Sequence, residues 1–178
     1  MNQVTHYKSA DGVSRRFHRG LTLIEVVAST MIVGLMTVAA LNGLGAATRS
    51  AASIGNRAIA LGLVDDLMAE ILPLPYSDPN DSPSFGPEGA ESAGPRSAFD
   101  DIDDFHGWNQ SPPKNRDGAI IPNRTDWRHR VQIVRVSPIN PAAATSGGAD
   151  DGAKRIHVVV EYRGQVLAEQ IAVRTEAE

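Results

Sequence analysis

The chain contains no cysteine and few aromatic residues. Its 178 residues include no Cys, and Phe, Trp and Tyr together make up 5% of the sequence. The lack of cysteine excludes both a disulfide-closed loop and a cysteine nucleophile. Because aromatic side chains are so few, the core must be built mainly from Val, Ile, Leu and Ala.

The chain also lacks an excess of basic residues. Lys and Arg number 17 against 21 Asp and Glu, which gives a formal net charge of −4. Nucleic-acid binding requires clustered Lys and Arg, so no nucleic-acid partner is expected.

Motifs of enzymatic chemistry are absent from the sequence. No glycine-rich loop follows a strand and opens a helix, and no Ser/His/Asp arrangement has support. His106 stands alone in an irregular region, and His129 and His157 fall on predicted strands. We expect these two strand histidines at the surface or at the edge of the core, and we expect the chain not to be an enzyme.

One long apolar run dominates the N-terminal third. Between Leu21 and Thr48 the only charged residue is Glu25. A helix needs about 20 apolar residues to cross a bilayer, so this run is long enough. A carboxylate inside such a span costs roughly 2.5–3.5 kcal/mol on insertion scales, so we expect Glu25 to have a partner. The three arginines before the run place its N-terminal side in the cytoplasm; they are Arg15, Arg16 and Arg19.

Residues 20–27 read Gly-Leu-Thr-Leu-Ile-Glu-Val-Val. In order, spacing and flanking charge they resemble the N-terminus of type IV pilin-like proteins, a family that includes type IV pilins and the pseudopilins of type II secretion systems. The resemblance covers roughly residues 14–50. Leu21 stands where the family most often has Phe.

The resemblance implies how the chain is processed and where it resides. Residues 1–20 would be a basic leader, removed between Gly20 and Leu21 by a membrane prepilin peptidase that also methylates the new N-terminus. Residues 21–48 would then stay in the inner membrane as a single-pass helix, with the C-terminal part in the periplasm. The leader carries four basic residues and one acidic residue, so its loss changes the net charge from −4 to −7.

The resemblance also implies the partners. Glu25 would pair with the N-terminal amine of a neighbouring subunit during filament assembly, which agrees with the need of a buried carboxylate for a compensating charge. The expected partners are the prepilin peptidase, other pilin-like subunits, an inner-membrane assembly platform and the lipid bilayer.

Residues 21–72 are predicted to form one long helix whose second half, 49–72, is amphipathic. Pro73 and Pro75 end it. Apolar residues recur at three- to four-residue spacing, which favours an apolar face directed at a C-terminal sheet: Ile54, Ala58, Leu61, Val64, Leu67, Met68 and Ile71.

Residues 73–125 are predicted to be irregular, since most prolines of the chain lie there. Within them Phe99, Ile102, Phe105 and Trp108 recur at helix-like spacing and could fix a short turn onto the sheet. Four acidic side chains of the same segment could offer oxygens to Ca²⁺, although their spacing does not match an EF-hand and acidic loops are usually solvated; they are Asp100, Asp101, Asp103 and Asp104. No other cofactor is expected.

Residues 126–178 are predicted to form an antiparallel meander of about three strands, 127–137, 154–163 and 165–175. Ile156, Val158, Val160 and Tyr162 alternate on one face, and Gly164 suits the positive φ of a short hairpin. In the last strand Leu167, Ile171 and Val173 share a face with Glu169. The predicted fold class is therefore α+β, with a long N-terminal helix whose outer half is covered by a small sheet, as the resemblance also implies.

Three functions are consistent with these features. The first is a structural subunit, a minor pseudopilin or pilin-like protein of a type II secretion or type IV pilus filament. The second is an adhesion or DNA-uptake pilin on the same scaffold, with residues 73–125 in contact with a ligand. The third, a membrane-anchored periplasmic enzyme with a metal at the acidic segment, leaves Gly20 and Glu25 unexplained.

Overall fold

The structure is a computed structural model that describes residues 20–79, 85–89 and 91–176. The predicted leader falls almost entirely on residues 1–19, outside the described residues. The chain divides into two units, Met1–Thr48 and Arg49–Glu178, which we describe separately.

One helix, α1, comprises Leu23–Ile71. It begins after Thr22, whose backbone carbonyl accepts hydrogen bonds from the amides of Glu25 and Val26 at 3.0 and 3.1 Å. It ends two residues before Pro73, as expected, because proline has no backbone N–H to donate to the helix. Within the described part of the chain, α1 is the one helix long and apolar enough to cross a membrane.

The first unit exposes its apolar side chains. From Leu21 to Leu44 the large hydrophobic residues are each 46–84% exposed. A helix that is apolar all round has no polar face to turn towards water, so it requires an apolar environment such as lipid or other helices.

The second unit contains a four-stranded antiparallel sheet in the order β1-β2-β3-β4. Its strands are β1 Asn109–Gln110, β2 Trp127–Arg135, β3 Ala153–Tyr162 and β4 Gln165–Thr175. The predicted α+β class, with the outer part of the helix packed on the sheet, is confirmed. The strand β1 was not predicted, because two residues between Pro-rich stretches carry no alternating pattern.

The core lies between the C-terminal part of α1 and the inner face of the sheet. Its strand residues include Val131, Ile133, Ile156, Val158 and Val160, all at most 2% exposed. The predicted inward alternation of β3 is therefore confirmed. The helix contributes six buried residues: Ala60, Leu63, Val64, Leu67, Met68 and Ile71.

The predicted apolar face of α1 is partly wrong. Ile54 and Leu61 are 68% and 50% exposed, and Ala58 is exposed as well. Leu61 follows Ala60 directly, so it lies about 100° around the helix from the centre of the buried stripe. A spacing of three to four residues fits both the buried stripe from Ala60 to Ile71 and the neighbouring line of Ile54, Ala58 and Leu61. The spacing alone therefore did not indicate which of the two faces the sheet.

Glu169, Ile171 and Val173 share one face of β4, as predicted, and that face is the exposed one. Ile171 and Val173 are 60% and 42% exposed, whereas Ala168 is buried. The pairing register contains an irregularity, since Val160 pairs with Ala168 but Glu161 pairs with Val166. This β-bulge makes Leu167 the extra residue of β4, so Leu167 packs against the core, whereas Glu169, Ile171 and Val173 after it face outward.

The turn between β3 and β4 is formed by Arg163 and Gly164, whose φ angles are 51° and 79°. Two successive positive φ values fit the two-residue hairpin turn that matches the twist of the strands. The hairpin predicted at Gly164 is confirmed.

Candidate functional site

The processing and assembly residues predicted from the sequence lie at the start of α1. Gly20, Leu21 and Thr22 precede the helix, and all three are exposed. The Gly20–Leu21 peptide bond is thus in a non-helical, accessible segment, the state in which a peptide bond can enter a protease.

Thr22 caps the helix, and Glu25 is at the third helical position. The Glu25 amide donates to Thr22 Oγ1 at 3.3 Å. Thr-x-x-Glu is the signature of a capping box, in which the acid can in turn accept from the backbone of the capping residue. The sequence analysis did not predict this capping role of Glu25, although residues 22–25 alone were sufficient to suggest it.

The Glu25 carboxylate is exposed, and within the described residues it forms no ion pair. In water such a group requires no partner. In an apolar environment it would need a cation, because an unpaired carboxylate is costly there.

A second group of predicted residues, the acidic turn Asp100–Asp104, is folded into the second unit. Asp101, Asp103 and Asp104 are 3%, 2% and 3% exposed. They are not solvated, as acidic residues in loops usually are. The apolar residues beside them lie in the core, as predicted: Phe99, Ile102 and Phe105.

Hydrogen bonds within the acidic turn explain the burial. Asp101 Oδ1 accepts from the amides of Asp103 and Asp104 at 2.7 and 3.2 Å. Asp104 Oδ2 accepts from the amides of Asp100 and Asp101 at 2.9 and 3.2 Å. These short-range bonds are typical of Asp in tight turns and give the carboxylates a structural role.

Asp103 links the turn to the rest of the unit. Its Oδ1 pairs with Lys154 Nζ on β3, and its Oδ2 accepts from the Gly86 amide at 3.2 Å. Lys154 Nζ also donates to the Tyr76 carbonyl and lies 4.3 Å from the centre of the Tyr76 ring. The alternation that predicts the inner face of β3 also puts Lys154 on that face, two residues before Ile156, but the sequence does not indicate its partner Asp103.

Three carboxylates from two segments converge near this turn. Glu88, Glu91 and Asp104 each place one ligand oxygen within 4.8 Å of the others. Of the four residues predicted as Ca²⁺ ligands, Asp104 belongs to this group. Hard carboxylate oxygens are the donors that Ca²⁺ prefers, so the donor type fits, and the Ca²⁺ hypothesis stays a prediction.

The crowding of carboxylates alters their protonation. Burial, together with the negative charges of Asp103 and Asp104, raises the pKa of Asp101 to about 7 despite the opposing charge of Lys154. Desolvation, with the charges of Asp104 and Asp100, raises the pKa of Glu91 to about 7 despite its backbone hydrogen bond with Glu88.

A buried polar cluster that the sequence did not reveal lies behind Trp108. Arg96, 6% exposed, pairs with Glu70 of α1 at 3.2 Å and stacks over the Trp108 ring at 4.6 Å. Beside it, His129 is 2% exposed, so the expectation of a surface or edge position is wrong for this residue. Burial and then the charge of Arg96 lower the pKa of His129 to about 4, which keeps its ring neutral.

Comparison with known proteins identified no relative: no protein-family model, curated protein or solved structure matches the chain.

Proposed function

We propose that this chain is a pilin-like structural subunit, a minor pseudopilin of a type II secretion or type IV pilus filament. The proposal is based on the exposed apolar side chains of the first unit and on the residues at the start of α1. Every large apolar side chain from Leu21 to Leu44 is exposed, the Gly20–Leu21 bond before α1 is accessible, and the first turn of α1 contains one acid, Glu25.

These residues account for three steps: membrane anchoring, cleavage of the leader and pairing between subunits. Residues 21–48 anchor the chain in the inner membrane, with its N-terminal side in the cytoplasm and the second unit in the periplasm. Prepilin peptidase hydrolyses the Gly20–Leu21 bond, which leaves a carboxylate on Gly20 and a new amine on Leu21. That amine is the cation that Glu25 of a neighbouring subunit requires in an apolar environment.

The second unit gives the subunit a rigid periplasmic part. Its buried helix face, from Ala60 to Ile71, fixes the sheet to α1. Other pilin-like subunits and an inner-membrane assembly platform are the partners that complete the filament. The chain itself performs no catalysis in this proposal.

The proposal is tested by the intact mass and N-terminal peptide map of the protein isolated from membranes that contain an active prepilin peptidase. The expected product begins at Leu21 and carries one added methyl group. The matched control is Gly20→Val, which places a branched side chain next to the scissile bond and should leave the chain uncut. A parent chain that still begins at Met1, while the peptidase processes another substrate, would overturn the proposal.

A further inference from the structure

Charge is distributed unevenly over the second unit. At one end of this unit, α1 residues Asn56 and Ile59 line a cleft of about 200 Å³ together with residues 123–127 and Tyr162. The β3–β4 turn is joined to the same end, since the Arg163 amide donates to the Asp126 carbonyl at 2.9 Å. We call this the basic end, formed by residues 49–59, 123–128 and 161–164.

Five arginines lie at the basic end against two carboxylates, Asp126 and Glu161. Arg163 is 69% exposed and pairs with Asp126 at 3.0 Å, and Arg128 is 49% exposed and lies 4.0 Å from Glu161. Arg124 lies over the Trp127 ring at 5.7 Å. The other two, Arg49 and Arg57, are exposed on α1.

The arginines of α1 lie on the side of the helix that carries the sheet. Arg49 precedes Ala60 by eleven residues, about three helical turns, so the two lie on the same face. Arg57 lies about 60° from the same line. Since Ala60 begins the buried stripe, both side chains are directed to the side occupied by residues 123–128 and 161–164.

Several carboxylates lie at the opposite end of the unit. The turn Asp100–Asp104 lies there, since the Ile102 amide donates to the carbonyl of Pro75, just beyond the end of α1, at 3.2 Å. Glu88 and Glu91 converge with Asp104 in the same region. Among the described residues, the excess of arginine over carboxylates at the basic end contrasts with the net charge of −4 of the whole chain.

The basic end is also the end nearest in sequence to the apolar segment. Arg49 directly follows Thr48, and no charged residue lies between Glu25 and Arg49. Arginine forms two parallel hydrogen bonds with a phosphate group, and basic residues beside a membrane are attracted to anionic headgroups.

We propose that the basic end binds the phosphate headgroups of anionic phospholipids, at the surface of the bilayer that holds residues 21–48. This inference rests on the membrane anchoring in the proposed function. It gives the second unit a preferred contact with the membrane before the subunit enters a filament.

The test is hydrogen exchange of the full chain reconstituted into vesicles. Exchange of residues 123–128 and 161–164 of the basic end is compared between phosphatidylcholine vesicles and vesicles that also contain phosphatidylglycerol. We expect exchange to be slower in the anionic vesicles, because each arginine that contacts a headgroup favours the bound state by about fivefold. High salt should abolish the difference, because it screens exposed charges.

The variant Arg57→Gln with Arg163→Gln removes two exposed charges of the basic end and should lose most of this protection. Arg116→Gln is the matched control. Arg116 is 56% exposed and lies 3.8 Å from Glu70, close to the other end of α1, so its loss should leave the protection unchanged.

Three outcomes would overturn the inference. One is equal exchange in the two kinds of vesicle, and another is equal protection in the double variant and the parent. The third is equal protection by inorganic phosphate added to neutral vesicles, which would show binding of a free anion. Flotation separates this inference from the proposed function: a chain that floats with both vesicles without lipid-dependent protection overturns the headgroup contact alone, whereas a chain that floats with neither overturns the anchoring.

Discussion

Lys154 and Asp103 form an ion pair in which both partners are withdrawn from solvent, with side chains 2% and 3% exposed. The two residues are 51 positions apart, and the pair joins β3 to the acidic turn. Lys154 also donates to the Tyr76 carbonyl, so three separate segments meet at one ammonium group.

Removal of one partner of this ion pair should lower the free energy of unfolding far more than removal of both partners. We expect Lys154→Met to lower the free energy of unfolding by about 3–5 kcal/mol, because Asp103 is then buried without its cation. The double variant Lys154→Met with Asp103→Leu should recover much of the loss. Urea unfolding in detergent, followed by tryptophan fluorescence, measures both changes.

The control for this prediction is the exposed pair of His157 and Glu169, whose side chains are 34% and 60% exposed. Glu169→Gln should leave the unfolding curve unchanged within error, since exposed pairs contribute little. Equal losses in Lys154→Met and Glu169→Gln would contradict the assignment of a buried pair.

Much of this fold was predictable because local patterns determine it. The alternation of Ile156, Val158 and Val160 gave β3 and its inner face, and Pro73 gave the end of α1. Gly164 gave the hairpin turn. Each of these signals depends on residues that are neighbours in the sequence.

The rest could not be predicted because it depends on contacts between distant segments. The outward position of Ile171 is a feature of strand pairing, since Ile171 pairs with His157 on the outer face of β3, and the burial of Lys154 depends on an acid 51 residues away. The pocket of His129 is formed by Trp108 and Arg96, neither of which is adjacent in sequence. The cap at Thr22, in contrast, was present in the sequence and was overlooked.

The raised pKa of Asp101 predicts an unusual pH dependence. Between its ordinary value of 3.8 and about 7, Asp101 holds a proton in the folded state that it loses in the unfolded state. The folded state then binds more protons, so the stability contributed by this group falls as the pH rises through that range.

Asp101→Asn should remove this contribution while keeping the oxygen that accepts from the Asp103 and Asp104 amides. We expect the difference in unfolding free energy between variant and parent to change in favour of the variant from about pH 4 to pH 8. Urea unfolding over this range measures the effect. A constant difference between the two proteins at all pH values would show that Asp101 titrates normally.

The Ca²⁺ hypothesis predicts a calcium-dependent rise in the unfolding temperature. The three carboxylates of Glu88, Glu91 and Asp104 repel one another, and a divalent cation that bridges them would relieve this repulsion. Glu91→Gln should abolish the calcium effect and raise the stability of the calcium-free protein. Calorimetry with Ca²⁺, with Mg²⁺ and with chelator is the measurement, and a parent protein that does not respond to Ca²⁺ would end the hypothesis.

Leu67 and Leu61 form a matched pair on α1 for the position of its buried face. Leu67 is 2% exposed in the core, whereas Leu61 is 50% exposed. We expect Leu67→Ala to lower the unfolding free energy by about 2–5 kcal/mol through lost burial and a cavity, and Leu61→Ala to have a much smaller effect. The unfolding free energies are measured by urea unfolding in detergent. Equal losses in the two variants would support the apolar face predicted from the sequence, which includes Leu61.

Glu25 has one role at the start of its own helix and, in the proposed filament, a second role between subunits that can be tested separately. Its amide donates to Thr22 Oγ1, and its side chain occupies the capping-box position, where Gln is an equally good residue. Glu25→Gln therefore removes the charge and keeps the local hydrogen bonds. Thr22→Ala keeps the charge and removes the cap, at a cost of about 1 kcal/mol to the start of the helix.

If the charge serves assembly, Glu25→Gln should still be cut after Gly20 and remain in the membrane fraction, yet yield no filaments. Thr22→Ala should be cut and should assemble. Sheared filament fractions, together with cross-linking between subunits in the membrane, distinguish the two variants. The opposite pattern, with filaments from Glu25→Gln and none from Thr22→Ala, would assign Glu25 to the start of its own helix. The amine of Leu21 would then need no carboxylate from a neighbour, and assembly would have to depend on the exposed apolar face between Leu21 and Leu44 alone.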